Sequence, residues 1–343
     1  MWAKPNMNTR SSILLVCAVV ALLTAANVQN HELRNRRGVQ SDDLENTPPL
    51  LAITTVILGG FRGLVADILW LRASSLQDEG RHFELVQLAD WITKLEPGIP
   101  EIWSFHAWNM AFNVSVMMRD PSERWRWIQN GIALLRDQAL RYNPHAPSLY
   151  SELAWIYSFK IGGQTDFAHA HYKRRLAQAM HAILSGGSLN GVNVSDEIAT
   201  ELKNVQGLDS ELMAKLDVRF GPLDWRLPES FAIYWAVQGL EHTTEEPDML
   251  CERMLRKGLE SSFVKGTLDF DPASGRYERT NNFEVLPKLM VVYDTALEQR
   301  PTGLIRSSYA GFLGRAIEIL RQEGKKDESR RLANRLEEIS GSE

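Results

Sequence analysis

Three alanines constrain this 343-residue chain more than any other residues do. Ala73, Ala107 and Ala154 each lie four residues after one large side chain and three before another: Leu69 and Leu76, Trp103 and Met110, Tyr150 and Tyr157. Spacings of three and four put side chains on one face of an α-helix. A small residue held between two large ones implies that another backbone crosses the helix closely there, since Leu or Val would otherwise fill the position. Helical segments run almost unbroken beyond residue 50, divided by Pro97, Pro100, Pro121, Pro144, Pro147, Gly162, Pro228, Pro247 and Pro301. Few stretches alternate in the manner of strands. The expected class is all-α.

The frame Tyr150-x2-Leu153-Ala154-x2-Tyr157 resembles the head of the tetratricopeptide repeat (TPR), a helix-turn-helix of about 34 residues with the pattern W-x2-L-G-x2-Y. Tyr replaces Trp, and Ala replaces Gly. Trp103-x2-His106-Ala107-x2-Met110 and Leu69-x2-Arg72-Ala73-x2-Leu76 fit the same frame, and Trp103 stands one full repeat after Leu69. Ala168-x3-Tyr172 stands where the second helix of the third unit would be. Leu313-x2-Ala316-Ile317-x2-Leu320 precedes Gly324 by the same distance as Leu69 precedes Gly80. The second unit is longer than standard, because Tyr150 follows Trp103 by more than one repeat length. The chain also looks like the membrane-anchored TPR-like proteins of bacteria. The resemblance covers residues 64–184 and returns at 303–340. It implies an α-solenoid with TPR-like repeats at 50–184, an irregular insertion at 185–225 and degenerate helical repeats at 226–343.

TPR arrays bind partners along a concave groove lined by the first helix of each repeat. The family's groove positions fall on Asp67, Trp70, Ser74 and Gln77, then on Glu101, Ser104, Trp108 and Phe112, then on Ser148, Ser151, Trp155 and Phe159. Trp108 and Trp155 share one repeat position, so stacked repeats would present an aromatic stripe suited to an extended peptide or a helix. The family's carboxylate-clamp positions hold Trp70, Ser74, Phe105, Ser148 and Glu152, which excludes that clamp.

Lys4 and Arg10 precede Ile13 to Val28, an apolar run without a charge. It is somewhat shorter than the about 20 residues of a full membrane span. Residues 1–30 are expected to form a single-pass signal anchor in a bacterial inner membrane, followed by a polar linker at 31–49 and a soluble body in the periplasm. Secretion after cleavage near Ala26 is the alternative. The second apolar stretch, Leu50 to Leu71, carries Arg62 and Asp67 and reads as the first helix of the body.

Lys4, Arg10, Arg34, Arg36 and Arg37 oppose only Glu32 in residues 1–40, so the rest of the chain carries −9 within a total of −5. An acidic body without a basic stripe excludes nucleic acid as the expected partner. Cys17 and Cys251 supply no disulfide framework, and no Cys/His metal spacing or cofactor motif occurs. His169 and His171 are two apart on a helix and point away from each other. Asp269 to Gly275 reads as a solvated turn, since it lacks the bidentate Glu of a calcium loop. No nucleophile elbow, Walker motif, H-E-x-x-H or G-x-G-x-x-G is present. Two readings follow. The first is a non-enzymatic, membrane-anchored scaffold that recruits other envelope proteins or peptide segments. The second is an all-α enzyme or small-ligand binder with a pocket between the repeats and residues 185–300, for which Asp67, Glu84, Asp90 and Glu152 are the carboxylates to inspect.

Overall fold

The apolar spacing produces helices nearly throughout. The computed structural model describes residues 61–184, 186, 187, 189, 194–242 and 248–341. The expected anchor at 1–30 and linker at 31–49 lie outside the described residues. Among the described residues no helix is long and apolar enough to cross a membrane. The chain divides into two compact units, residues 1–102 and 103–343.

The described part of the first unit centres on a helical hairpin, α1 (Phe61–Asp78) and α2 (His82–Leu95). Ala66, Ala73 and Leu76 of α1 and Leu85, Leu88, Ala89 and Ile92 of α2 are buried. The α2 residues follow the three-and-four spacing of one helical stripe. Gly80 makes the turn at φ +70°, a left-handed conformation that costs a glycine nothing. Its amide donates to the Gln77 carbonyl (3.0 Å) and the Arg81 amide to the Leu76 carbonyl (2.9 Å), which closes the end of α1.

The helix that leads into the second unit, α3 (Pro100–Trp108), runs on through a π-helical stretch, Asn109–Val114, and a last turn, Ser115–Met117. Then α4 (Pro121–Ala133) opens on an Asp120 cap that accepts from the Ser122 amide, and continues through π-helical Leu134–Ala139. Gly131 lets α4 approach α3 closely. A Cβ at Gly131 would lie 2.9 Å from the Ala107 carbonyl oxygen and 3.6 Å from the Ala111 methyl. The small residue of the Trp103 frame therefore does mark a tight crossing.

Next come α5 (Pro147–Trp155, continued by π-helical Ile156–Ile161) and α6 (His169–Leu184). The segment 185–225, expected as an irregular insertion, holds α7 (Asp196–Glu201, with π-helical Leu202–Gln206) and α8 (Ser210–Phe220). At the centre of the unit stands α9 (Pro228–Glu241), buried on nearly every face, with α10 (Met249–Lys265) against it. Gly258 of α10 sits so near α9 that a Cβ would fall 2.7 Å from Ile233 Cγ1. Among the described residues the all-α expectation holds, apart from one antiparallel hairpin, β1 (Thr267–Asp271) and β2 (Arg276–Thr280), in which Thr267 faces Thr280. Its turn is the segment read as solvated: the Asp271 carboxylate accepts from the Ala273 amide (2.9 Å) and the Ser274 hydroxyl (2.6 Å).

The chain ends in α11 (Val285–Gln299), α12 (Gly303–Gln322) and α13 (Lys326–Ser340). Tyr293 and Tyr309 stack α11 on α12 at 4.5 Å with nearly parallel rings. Gly324 turns α12 into α13 at φ +74°, repeating the pattern at Gly80: the Lys325 amide donates to the Leu320 carbonyl at 2.8 Å.

The neighbour of α5 differs from expectation. The sequence points to α6, through Ala168 and Tyr172. Instead Tyr157 stacks on Phe231 (4.7 Å) and Tyr150 meets Trp235 (6.4 Å), both on α9. A Cβ on Gly239 of α9 would come within 2.9 Å of the Tyr150 Cβ. The reason is apolar surface. From Pro228 to Val237 every residue of α9 is buried, whereas α6 begins His169-Ala170-His171 and carries Lys173, Arg174 and Arg175. Tyr172 of α6 stacks instead on Trp125 of α4 at 6.1 Å.

Candidate functional site

Helices α3 and α5 are built alike. Each opens on a proline, runs nine residues as α-helix and passes into six residues of π-helix directly after a tryptophan, Trp108 or Trp155. Such π turns recur at functional positions because they rotate the side chains that follow. In each helix the tryptophan meets the aromatic four residues on, Trp108 with Phe112 at 5.7 Å and Trp155 with Phe159 at 4.1 Å. All four rings are half-buried. The two π stretches touch, and Lys160 Nζ lies 5.6 Å above the Phe112 ring.

The other sequence-derived groove residues divide between the units. Asp67, Trp70 and Ser74 lie exposed along one face of α1, and Glu101 is exposed in the first turn of α3; all four belong to residues 1–102. Ser151 is buried, and its hydroxyl donates to the Ser148 carbonyl at 2.9 Å, so it offers no free polar surface.

Behind the rings lies a buried charge network. Asp166 Oδ1 accepts from Arg124 Nη1 (3.0 Å) and from the Ala168 amide (3.0 Å), while Oδ2 accepts from Lys160 Nζ (2.7 Å) and the Tyr172 hydroxyl (3.0 Å). Arg124 also donates to the carbonyls of Met118 (2.7 Å) and Val116 (2.8 Å), closing the end of α3. Burial alone would raise the Asp166 carboxyl, but Lys160, the Ala168 amide and Tyr172 hold it below its ordinary value. Three helices, α4, α5 and α6, thus share one carboxylate, and Arg124 ties the end of α3 to it.

A separate cleft of about 630 Å³ opens among α6, α9, α10, β2 and α12. Its floor holds Lys173, whose Nζ donates to the Gly163 carbonyl (2.8 Å) and contacts His169 Nδ1 (3.2 Å). Arg279 of β2 pairs with Glu229 of α9 at 2.7 Å, and Arg315 of α12 pairs with Glu260 of α10 at 2.8 Å. Both carboxylates of the cleft are therefore already matched. Arg174, Lys257 and Lys265 are exposed at the rim and make no salt bridge among the described residues. The Tyr277 hydroxyl and Glu229 Oε2 are buried in the cleft without a hydrogen-bond partner. Desolvation, reinforced by the charge of Arg279, pushes the Lys173 ammonium down to about 8.

No protein-family model matches this chain, and no curated protein matches it. The geometry of the rings, the network and the cleft therefore carries the functional reading. None of the site residues named from sequence lines the cleft, whose side chains are scattered from Gly162 to Arg315. The one local signal is the basic run Lys173-Arg174-Arg175. His169 and His171 do point apart, His169 to Lys173 and His171 edge-on to Tyr172.

Of the carboxylates singled out from sequence, Glu152 stands in the most unusual setting. Its Oε1 is buried without a hydrogen-bond partner, and burial pushes the carboxyl up to about 7. A folded-state value above the unfolded one means that the native state binds the extra proton. The stability tied to that proton is complete below about pH 4 and is lost as pH rises through 7. Glu152→Gln is expected to remove that decline and to raise stability at pH 8 by about 1–3 kcal/mol, since each tenfold change in an ionisation constant is worth about 1.4 kcal/mol. Urea unfolding of both proteins at pH 5.5 and pH 8 measures it; equal pH dependence in the two would refute the assignment.

Proposed function

We propose that this chain is a TPR-type scaffold of the bacterial cell envelope, held at the inner membrane by residues 13–28, with its body outside the cytoplasm. Its helix pairs bind an extended or helical segment of another envelope protein across Trp108, Phe112, Trp155 and Phe159. The observation that carries the reading is the shared build of α3 and α5: the same proline start, the same change to π-helix and the same ring pair. A core ring needs no such duplication. Two half-buried aromatic pairs at one repeat position give a partner rigid, largely desolvated anchors. The absence of free polar surface at Ser151 fits recognition by rings and backbone rather than by a charged clamp.

The test is crosslinking in native membranes with the wild type and with Trp108→Ala/Trp155→Ala. Loss of an interface hot spot costs roughly 2 kcal/mol or more in affinity, so the adduct should disappear while the melting temperature stays close to wild type. Truncation of a core tryptophan would instead cost about 3–5 kcal/mol of stability. A variant that unfolds assigns the rings to the core, and a folded variant with undiminished adducts moves the interface elsewhere.

A further inference from the structure

The cleft beside α6 is cationic in a body that is otherwise acidic. Its two carboxylates are matched by Arg279 and Arg315, which leaves Lys173 at the floor and Arg174, Lys257 and Lys265 at the rim without a compensating charge. Lys173 is 6% exposed, so its ammonium is held away from water next to other cations. Like charges brought together in a partly desolvated space repel, and an anion placed among them removes that cost. A monocarboxylate is too weakly charged to balance four cations. A phosphate monoester carries about −1.5 to −2 at neutral pH and three acceptor oxygens.

Two orphaned groups narrow the ligand further. The Tyr277 hydroxyl is a donor and acceptor without a partner, and Glu229 Oε2 is a buried acceptor without a donor. Buried polar atoms left unpaired are costly, which points to a ligand that supplies the missing partners. An acceptor such as Glu229 Oε2 requires an O–H or N–H from the ligand, which phosphate alone at full ionisation does not offer. The volume of about 630 Å³ also exceeds the needs of a bare phosphate and suits a small organic molecule.

We infer that this cleft binds a hydroxylated phosphate monoester, with the phosphate among Lys173, Lys257 and Lys265, and a ligand hydroxyl donating to Glu229. The inference stands apart from the aromatic stripe and needs no part of it. A soluble metabolite and the headgroup of a lysophospholipid share this chemistry.

Calorimetric titration of the full chain in detergent decides it, with four probes: glycerol phosphate, lysophosphatidic acid, inorganic phosphate and glycerol. Glycerol phosphate or lysophosphatidic acid should bind saturably, inorganic phosphate more weakly and glycerol not at all. Tighter binding of lysophosphatidic acid identifies a lipid source, and tighter binding of glycerol phosphate a soluble one. Lys257→Ala/Lys265→Ala, at exposed rim positions, should keep the wild-type melting curve and weaken binding at least about tenfold, as loss of a charge-assisted hydrogen bond does. Tyr277→Phe should weaken it by a similar factor. Lack of saturable binding by either ester, equal affinity for inorganic phosphate, or unchanged affinity in both variants overturns the assignment.

Discussion

Asp166→Asn is expected to lower the free energy of unfolding by about 3–5 kcal/mol, the usual cost of leaving a buried charge without its counter-charge. The substitution keeps the shape of the side chain and removes only its charge. Arg124 and Lys160, with side chains 8% and 4% exposed, would then face each other across a neutral amide. The amide nitrogen would also replace one acceptor oxygen with a donor, opposing either Lys160 and Tyr172 or Arg124 and the Ala168 amide. Urea unfolding at pH 7 measures the loss. The pH dependence supplies a second signature. Because the Asp166 carboxyl is held below its ordinary value, the wild type keeps this stabilisation above about pH 4 and loses it as pH falls through the folded-state value. The asparagine variant should show a smaller acid-induced drop. Asp120→Asn, at the exposed cap of α4, is the control and should cost about 1 kcal/mol or less. A wild-type unfolding curve for Asp166→Asn would mean that α4, α5 and α6 do not depend on the shared carboxylate.

Trp225→Ala should be as damaging for a different reason. Trp225 is fully buried, its backbone amide donates to the Gly187 carbonyl at 2.7 Å, and its ring meets Tyr234 edge-on. Its indole N–H donates to Asp217 Oδ1 at 3.1 Å, which also accepts from the Leu223 amide. Truncation of a buried tryptophan costs about 3–5 kcal/mol through lost burial and the cavity left behind. The change also strips a donor from Asp217, whose carboxyl burial already raises. Trp225→Phe separates the two contributions, since it keeps most of the ring and removes the N–H. It should cost about 1–3 kcal/mol, the worth of one hydrogen bond to a carboxylate, because the Leu223 amide still donates to Asp217 Oδ1. Equal stability of the phenylalanine variant and the wild type would show that the hydrogen bond to Asp217 adds nothing.

The legible parts of this fold are the local ones. The frame alanines Ala73, Ala107 and Ala154 are at most 1% exposed, and Gly80 and Gly324 take the same left-handed turn. Both patterns follow from spacing within one helix or one turn, which a sequence displays directly. The partner of α5 is not local. Tyr157 meets Phe231, and no spacing rule links positions so far apart, so the nearest helix in sequence looks like the natural neighbour. For the site the contrast is the same. Trp108 and Trp155 stand out because they repeat, and their ring pairs with Phe112 and Phe159 follow from a spacing of four. The cleft combines Lys173, Glu229, Tyr277 and Arg315 from four separate elements. In an acidic chain each of its cations alone reads as an ordinary solvated charge.

The packing of α5 on α9 also sets a delay during synthesis. Phe231 is made well after Tyr157, with the whole of α6, α7 and α8 between them. At about 5–20 residues per second, the ribosome supplies the cover for α5 roughly 4–15 s after α5 itself has been made. Throughout that interval Tyr157 lacks Phe231 and Tyr150 lacks Trp235. A nascent chain that stalls between α6 and α9 would therefore display an aromatic face that the finished protein hides, and such intermediates are the ones that aggregate or engage chaperones.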